Sequence, residues 1–276
     1  MAAVTEQRYC RNMTAAAPSI GYLLREWRQR RHLSQLDLAC EAEISTRHLS
    51  FLETGRAAPS REMVIRLAEQ LDIPMRERNV LLMAAGYAPV FPENIFNDPA
   101  LDSARRAVDM MLQAQKPYPA FVIDRHWNIV ASNGALPWIY KGVADHLLQR
   151  PINALRLTLH REGLAPRIEN LAEWREHLLS RLRRQVQVTA DRTLVDLMGE
   201  LLGYPMPDGA RPGPAATAEM AVAVPFRIQT EAGLLSFFSL TTVFGAPLDI
   251  TLAELALEFF LPADSATVQT VRAKLA

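Results

Sequence analysis

Residues 34–59 have the sequence SQLDLACEAEISTRHLSFLETGRAAP, and this stretch predicts two short helices joined by a tight turn. Ser34 and Asp37 are spaced as in a capping box, so the first helix is expected to begin just after Ser34. Leu36, Ala39 and Cys40 recur at i, i+3 and i+4, a spacing that predicts one shared, inward helix face.

The second helix of this stretch has its own start and stop signals. Ser45 is placed to cap it, Leu49 and Leu52 are expected to point inward, and Gly55 ends it because glycine adopts left-handed backbone conformations at low cost. The remaining polar face points outward. Together the two helices describe a helix-turn-helix, whose second helix has the size to enter a DNA major groove.

Three more helices are predicted around this pair. One runs from Pro18 to about Arg31, one from Ser60 to Leu71, and one from Pro74 to Gly86. The first is expected to bury Leu23, Leu24 and Trp27 and to expose four arginines, Arg25, Arg28, Arg30 and Arg31. Such a charge run is usually only a solvated helix face. Residues 18–86 are thus predicted to form one five-helix domain.

This domain resembles the Cro/repressor (XRE-type) helix-turn-helix family, and its fold is expected to be lambda-repressor-like. The residues that carry the resemblance are Ser34, Gln35, Leu38, Ala39, Ile44, Ser45, Leu49, Ser50, Glu53, Gly55 and Pro59. One position departs from the family pattern: Glu43 stands in the turn where glycine is usual, so it must tolerate a positive φ or shift the turn slightly.

The resemblance implies a double-stranded DNA operator as partner and assigns roles to individual residues. The outward residues expected to bind DNA are Gln35, Ser45, Thr46, Arg47, Ser50, Phe51 and Arg56. Arg47 has the planar fork that fits guanine O6 and N7. Gln35 and Arg56 are placed for phosphates. Alternatives stay open for two of these residues. Phe51 either contacts a thymine methyl or sugar edge or is a core aromatic, and Arg56 either contacts a phosphate or is a solvated loop charge. Glu53 is expected to pair within the domain.

Composition limits the partners and the compartment. The 276 residues are 49% hydrophobic and 22% charged with a formal net charge of zero, and residues 18–86 carry ten Lys/Arg against nine Asp/Glu. DNA affinity must therefore depend on a few placed groups and on dimer avidity. Two cysteines, Cys10 and Cys40, suit a reducing cytoplasm, and Cys40 is expected to be a small core residue. No signal peptide or membrane span is visible, so no membrane partner is expected.

The second half has mixed α and β signals. After a disordered lead-in (1–17), the five-helix domain and a proline-bearing linker (87–99), residues 100–276 are expected to form an α+β domain with an antiparallel sheet. Strands are predicted as two hairpins, 119–124 with 128–133 and 219–229 with 234–244. Helices are predicted over residues 100–115, 134–148, 167–187, 191–202 and 251–259, with a proline- and glycine-rich loop at 204–214.

This half resembles the ligand-binding domain of MmyB-like regulators, which has a PAS-like fold. The resemblance is carried by PYPAFVIDRHWNIVASN (117–133), by residues 153–185, and by LLSFFSLTTVFGAPLDITLAELALE (234–258) with the following PAD. It implies a small apolar effector, with fatty acids the leading candidates. The sequence departs from the family's common HPEG by carrying Arg161 in HREG, which leaves that turn's conformation open.

Candidate ligand-binding residues follow from the same segments. A carboxylate ligand would need a cation, Arg156 or His160, at the mouth of an apolar cavity. Phe121, Trp127, Trp138, Phe237 and Phe238 are candidates for its walls. The alternatives are that the charged residues lie on the surface, that the histidine is packed, and that the aromatics are plain core. Other candidates in this segment are Arg167, Trp174 and His177.

Catalytic motifs are not visible: the chain has no Gly-x-Ser-x-Gly, no phosphate-binding glycine loop and no His-Glu-x-x-His, and the six histidines show no metal-ligand spacing. A non-enzymatic, cytoplasmic transcription regulator without metal or cofactor, homodimeric on DNA, is therefore the leading hypothesis. The alternatives are a protein-interaction and dimerisation scaffold that does not bind DNA, and a lipid-binding carrier or enzyme.

Overall fold

The computed structural model describes residues 18–206 and 224–275, and the chain divides into two compact units between Phe91 and Pro92. The predicted lead-in (1–17), residues 207–214 of the predicted loop and residues 219–223 of the third predicted strand lie outside the described residues. The predicted linker is shared between the units. Val90 and Phe91 donate their N–H groups to Asn79 of the first unit, and Asn94 donates to Asp249 of the second.

Five helices make up the described part of the first unit, as predicted. They are α1 Ile20–Arg30, α2 Gln35–Glu41, α3 Thr46–Glu53, α4 Arg61–Gln70 and α5 Met75–Ala84. A serine hydroxyl caps each of the first four helices by accepting a backbone N–H three residues later; the caps are Ser19, Ser34, Ser45 and Ser60. Ser34 and Asp37 form the predicted capping box. The element boundaries therefore follow local polar signals.

The inward face predicted for α2 was right at Ala39 and wrong at Leu36 and Cys40. Leu36 is 60% exposed and Cys40 is exposed, whereas Leu38, Ala39 and Ala42 are buried. Leu36 and Leu38 differ by two residues, or about 200° of helix rotation, so only one of them can face the core. The core selects Leu38 because Ala39 and Ala42, both small, lie beside it and allow α2 to pack closely on its neighbours.

Helix α1 packs more closely on α3 than its apolar pattern indicates. A Cβ atom on Gly21 would lie 2.5 Å from the Leu52 carbonyl oxygen and 2.6 Å from that of Glu53. This close approach buries Arg28, which the sequence had placed on the exposed face, beside Leu24 and Trp27. The assignment of Arg28 to a solvated face was therefore wrong.

The turn between α2 and α3 forms with a non-glycine residue. Glu43 has φ 54°, and the next amide, that of Ile44, donates to the Ala39 carbonyl. Glu43 is exposed, so the cost of this left-handed conformation is the local one between its own Cβ and the backbone. Gly55 ends α3 with φ 72°, as expected.

The second unit contains a five-stranded sheet with the order β2-β1-β5-β4-β3, in which every neighbouring pair is antiparallel. Its strands are β1 Ala120–Ile123, β2 Ile129–Ser132, β3 Pro225–Thr230, β4 Gly233–Val243 and β5 Ala256–Pro262. The flanking helices are α6 Asp102–Ala114, α7 Asp145–Leu148, α8 Ala154–Leu159, α9 Leu171–Thr189, α10 Arg192–Leu202, α11 Ile250–Ala253 and α12 Ser265–Leu275. The predicted antiparallel sheet with flanking helices is confirmed.

The helix predicted over residues 251–259 was wrong beyond Ala253. Asp249, not Thr251, caps a single helical turn, α11, and the chain then enters β5, the central strand. Leu257 packs on one face of the sheet and Glu258 on the other, the alternation that is typical of a strand. This segment is a strand because β1 pairs with it on one side and β4 on the other. Helix α12 was not predicted, and within 134–148 only α7 is helical.

The two faces of the sheet are covered differently. On one face, Val108 and Leu112 of α6 pack on Val122, Leu257 and Phe259. On the other face, α8, α9 and α10 form a larger cluster with residues of β3 and β4. The described helices include none that is both long and apolar enough to cross a bilayer.

Candidate functional site

The outward face of α3 carries the residues predicted to contact bases. Arg47 is exposed, and Thr46 and Ser50 are half-buried beside it. Ser45 is also exposed, and its hydroxyl accepts the His48 amide at 3.1 Å as the helix cap. The cap leaves the Ser45 hydroxyl hydrogen available to donate outward. The start of α3 therefore presents one guanidinium and several short polar groups on one surface.

Two arginines of this surface lie close to the Phe51 ring. The guanidinium carbon of Arg47 is 5.3 Å from the centroid of the Phe51 ring, and that of Arg56 is 5.9 Å from it. Both distances are within cation–π range. The Phe51 carbonyl also accepts the Arg56 amide at 2.8 Å. The half-buried ring thus acts as a support that brings a base-reading candidate and a phosphate-binding candidate together.

A buried carboxylate lies beneath this surface. Glu53 accepts two hydrogen bonds from Arg28, at 2.6 and 2.9 Å, and one from the Gln35 amide at 2.8 Å. The Glu53 side chain is 2% exposed. Its hydrogen bond with Arg28 raises the pKa of the Arg28 guanidinium. The prediction that Glu53 pairs within the domain is confirmed. Gln35, expected on a phosphate, here holds the start of α2 against the end of α3.

An apolar cavity lies in the second unit between the sheet and helices α8 and α9. The volume of the cavity is about 60 Å³, which is several times the volume that one water molecule needs. Of the predicted lining residues, Phe121, Trp127 and Phe237 border it, and Trp174 does so as well. Phe238 alternates to the opposite face and is 40% exposed.

One ion pair borders this cavity. Arg181 of α9 lies 2.5 Å from Glu258 of β5, and the hydroxyls of Ser239 and Thr241 each donate to Glu258 at 3.0 Å. The guanidinium also lies 4.9 Å from the Trp127 ring. Sequence reasoning missed both charged residues. The only available signal was an isolated Glu258 within ALEFFLP, and the helix assigned there concealed it.

The predicted cations lie elsewhere. Arg156 forms a bidentate pair with Glu200, at 2.7 and 2.8 Å, and borders a separate depression together with His160 and Tyr204. Its hydrogen bonds lower the pKa of Glu200. On α8 the cavity face is taken by Leu155 and Leu157, so Arg156 points to another side.

The structure therefore does not bring Arg156 or His160 to the apolar cavity, and Trp138 borders a third depression, beside Lys141 and Arg167. Of the other candidates in this segment, Arg167 donates to the Ile139 carbonyl and His177 stacks on Trp174.

The HREG segment forms a defined turn. The Gly163 amide donates to the His160 carbonyl at 2.9 Å, and the Leu164 amide to the Leu157 carbonyl at 2.9 Å. A Cβ atom on Gly163 would lie 2.2 Å from the Leu157 oxygen, so glycine is required there. Arg161 is exposed, so the turn accommodates an arginine where the family commonly has proline.

One group of possible metal ligands was not anticipated. Ligand atoms of His146, His160 and Glu162 lie within 4.8 Å of one another. The Glu162 amide, however, donates to His160 Nδ1 at 3.1 Å, which occupies that lone pair. This arrangement is accounted for by the turn, and it gives no support for a metal among the described residues.

Comparison with known proteins agrees with this geometry. Residues 24–78 match a family model described as "Helix-turn-helix", and residues 104–273 match one described as "MmyB-like transcription regulator ligand binding domain". A search of curated proteins gives no match. A solved structure titled "Structure of an RNA-binding Light-Oxygen-Voltage Receptor" aligns with 98% of this chain and 67% of its own, but the identity is 13% and the TM-score is 0.25, too low to indicate a shared fold.

These matches define the class: a DNA-binding transcription regulator with a ligand-sensing domain. The second match covers more than half of the chain, and the chain belongs to the family with the MmyB-like transcription-regulator ligand-binding domain. The resemblance noted in the sequence is thereby confirmed for both units.

Proposed function

We propose that this regulator binds an operator as a homodimer and that its second unit senses a small apolar ligand of the fatty-acid class. The observation that carries the proposal is the aromatic-lined cavity in a regulator's ligand-binding domain. The cavity walls are supplied by residues of all five strands and by α8 and α9, so a bound ligand acts directly on the packing of the whole unit.

The DNA part of the proposal is supported by the α3 surface. Arg47 and Arg56 share the Phe51 ring, which limits the side-chain entropy that each loses on binding. Because residues 18–86 carry a net charge of only +1, one copy offers few phosphate contacts. Two copies on one duplex supply the affinity that a single copy lacks, with half-sites about one helical turn apart.

The ligand part is supported by the character and the size of the cavity. Its lining is mainly aliphatic and aromatic, which suits a hydrocarbon chain. About 60 Å³ holds only a few carbon atoms, so a long acyl chain must move side chains apart when it enters. Such repacking gives two arrangements of the unit, and the ligand shifts the balance between them by its differential affinity.

Two measurements on the full-length chain test this function. The first is mass spectrometry of small molecules extracted from purified protein, where a co-purified acyl compound is expected. The second is a binding isotherm, at several salt concentrations, on a duplex selected by the protein from a random-sequence pool.

We expect log K to fall steeply with log salt and the isotherm to shift when the extracted compound is added. The absence of any salt-sensitive DNA binding would favour a protein-interaction scaffold. Ligand binding without any operator effect would favour a carrier.

A further inference from the structure

Trp174, a residue of the cavity wall, carries a hydrogen-bond donor without a partner among the described residues. Trp174 lines the cavity and is 3% exposed, and within the described part of the chain its indole Nε1 is buried and has no acceptor. The other indole on this wall is different, because Trp127 Nε1 donates to Gln185 Oε1 at 2.8 Å. A buried N–H without an acceptor is destabilising, so a folded protein retains one mainly where something else supplies the acceptor.

The charges at the cavity are already balanced. Arg181 is the cation among the described lining residues, and it is bound to Glu258. A ligand carboxylate that took Arg181 would leave Glu258 buried with only the hydroxyls of Ser239 and Thr241. Because removing one partner from a buried ion pair is strongly unfavourable, a carboxylate has no low-energy place here.

The remaining polar groups near the cavity also lack a charge for an anion. The Thr158 hydroxyl donates to the Ala154 carbonyl at 2.7 Å. Burial raises the pKa of Tyr140, so its phenol keeps its proton. His177, stacked on Trp174 at 5.1 Å, has its pKa lowered by burial and is neutral near pH 7.

We propose that this cavity binds its ligand in an uncharged form, with a ligand carbonyl oxygen accepting from Trp174 Nε1 and the hydrocarbon chain against the aromatic wall. This inference rests on the proposed function, since it takes the cavity as the sensing site. It narrows the ligand to a neutral acyl compound, such as an ester, an amide or a protonated fatty acid, and it excludes the fatty-acid carboxylate.

The first test compares two probes on the full-length protein at pH 7.5, decanoic acid and methyl decanoate, by quenching of intrinsic tryptophan fluorescence. We expect methyl decanoate to bind about tenfold more tightly or better, since it does not compete with Glu258 for Arg181. Tighter binding of decanoate would overturn this inference and leave a fatty-acid ligand in place. Binding of neither probe would overturn both the inference and the acyl-ligand proposal, while operator binding would still be measurable.

A matched pair of variants tests the donor. Trp174→Phe and Trp127→Phe each remove an indole N–H from the same wall, but only Trp127 uses its N–H within the protein. Without ligand, we expect Trp174→Phe to have the higher Tm of the two. With methyl decanoate, Trp174→Phe should bind about three- to tenfold more weakly than wild type. An equal loss of Tm in both variants, or unchanged ester affinity in Trp174→Phe, would overturn the assignment.

A third variant reverses the charge argument. Glu258→Gln keeps the side-chain volume and leaves Arg181 without its carboxylate. The affinity for decanoate should then rise relative to the affinity for methyl decanoate. The ratio between the two affinities should become smaller or invert. An unchanged ratio would show that Glu258 does not set the charge of the ligand.

Discussion

Arg47 and Arg56 share one aromatic ring and are expected to do different work on DNA. Arg47, on the outward face of α3, is placed to read a base, whereas Arg56, beyond the helix end, is placed for a phosphate. Arg47→Ala should cost about 1–3 kcal/mol and relax specificity at one base position. Arg56→Ala should weaken all sequences alike and lower the salt slope. The affinities of each variant for single-base variants of the selected duplex distinguish the loss of specificity from the uniform loss of affinity. Unchanged discrimination in Arg47→Ala would contradict its base-reading role.

The Arg28–Glu53 pair is a second feature at the residue scale. Glu53→Leu leaves the buried Arg28 guanidinium without its anion, so the first unit should lose about 3–5 kcal/mol of unfolding free energy. The double change Arg28→Met with Glu53→Leu removes both charges and should lose much less. The unfolding free energy of each variant is measured by urea unfolding, monitored through hydrogen exchange of the α1 and α3 backbone amides. A double variant as unstable as the single one would show that packing, not charge, sets the cost.

At the scale of elements, the approach of α1 to α3 depends on Gly21. Gly21→Ala would place a methyl group 2.5 Å from a backbone oxygen, which a rigid helix cannot move, and should cost about 1–3 kcal/mol. Gly199 of α10 is a suitable control because no atom lies within 4 Å of its missing Cβ. Gly199→Ala should stabilise its unit by about 0.5–1 kcal/mol through helix propensity. Equal effects at the two positions, measured by thermal unfolding, would contradict the close packing.

Helix α9 should make the second unit sensitive to acid. Burial, reinforced by Arg181 and Arg184 and opposed by Glu258, lowers the pKa of His177 below its ordinary value of about 6.5. The unfolded chain therefore binds the proton more readily, and this contribution to stability falls as pH drops below about 6.5. His177→Gln should flatten the rise of Tm between about pH 5 and pH 7.5. An identical pH profile in wild type and variant would exclude His177 as a cause.

At the scale of the whole molecule, the homodimer that we propose imposes a spacing on DNA. Each copy presents one α3 surface, so two half-sites must face the same side of the duplex. Inserting about five base pairs, half a helical turn, between the half-sites of the selected duplex should abolish high-affinity binding, and inserting about ten should restore part of it. Electrophoretic mobility shifts measure this. Equal affinity for all spacings would show that single copies bind independently.

Local signals in the sequence determined much of this protein. Serine caps, glycine stops and the apolar periodicity fixed the five helices of the first unit, and both hairpins of the second were visible, because each depends on neighbours in the chain. The outward surface of α3 was predictable for the same reason: Ser45, Thr46, Arg47, Ser50 and Phe51 lie within one short helix and its cap.

Only the tertiary structure decided which faces are buried and where charges meet. Leu36 and Leu38 were equivalent until the core selected one, and Arg28 was buried by a glycine that lets two helices touch. Residues 256–262 became the central strand because both neighbours pair with them. Arg181 and Glu258, 77 positions apart, meet at the cavity. Pairing across such distances leaves no local pattern, and so the sequence alone could not predict it.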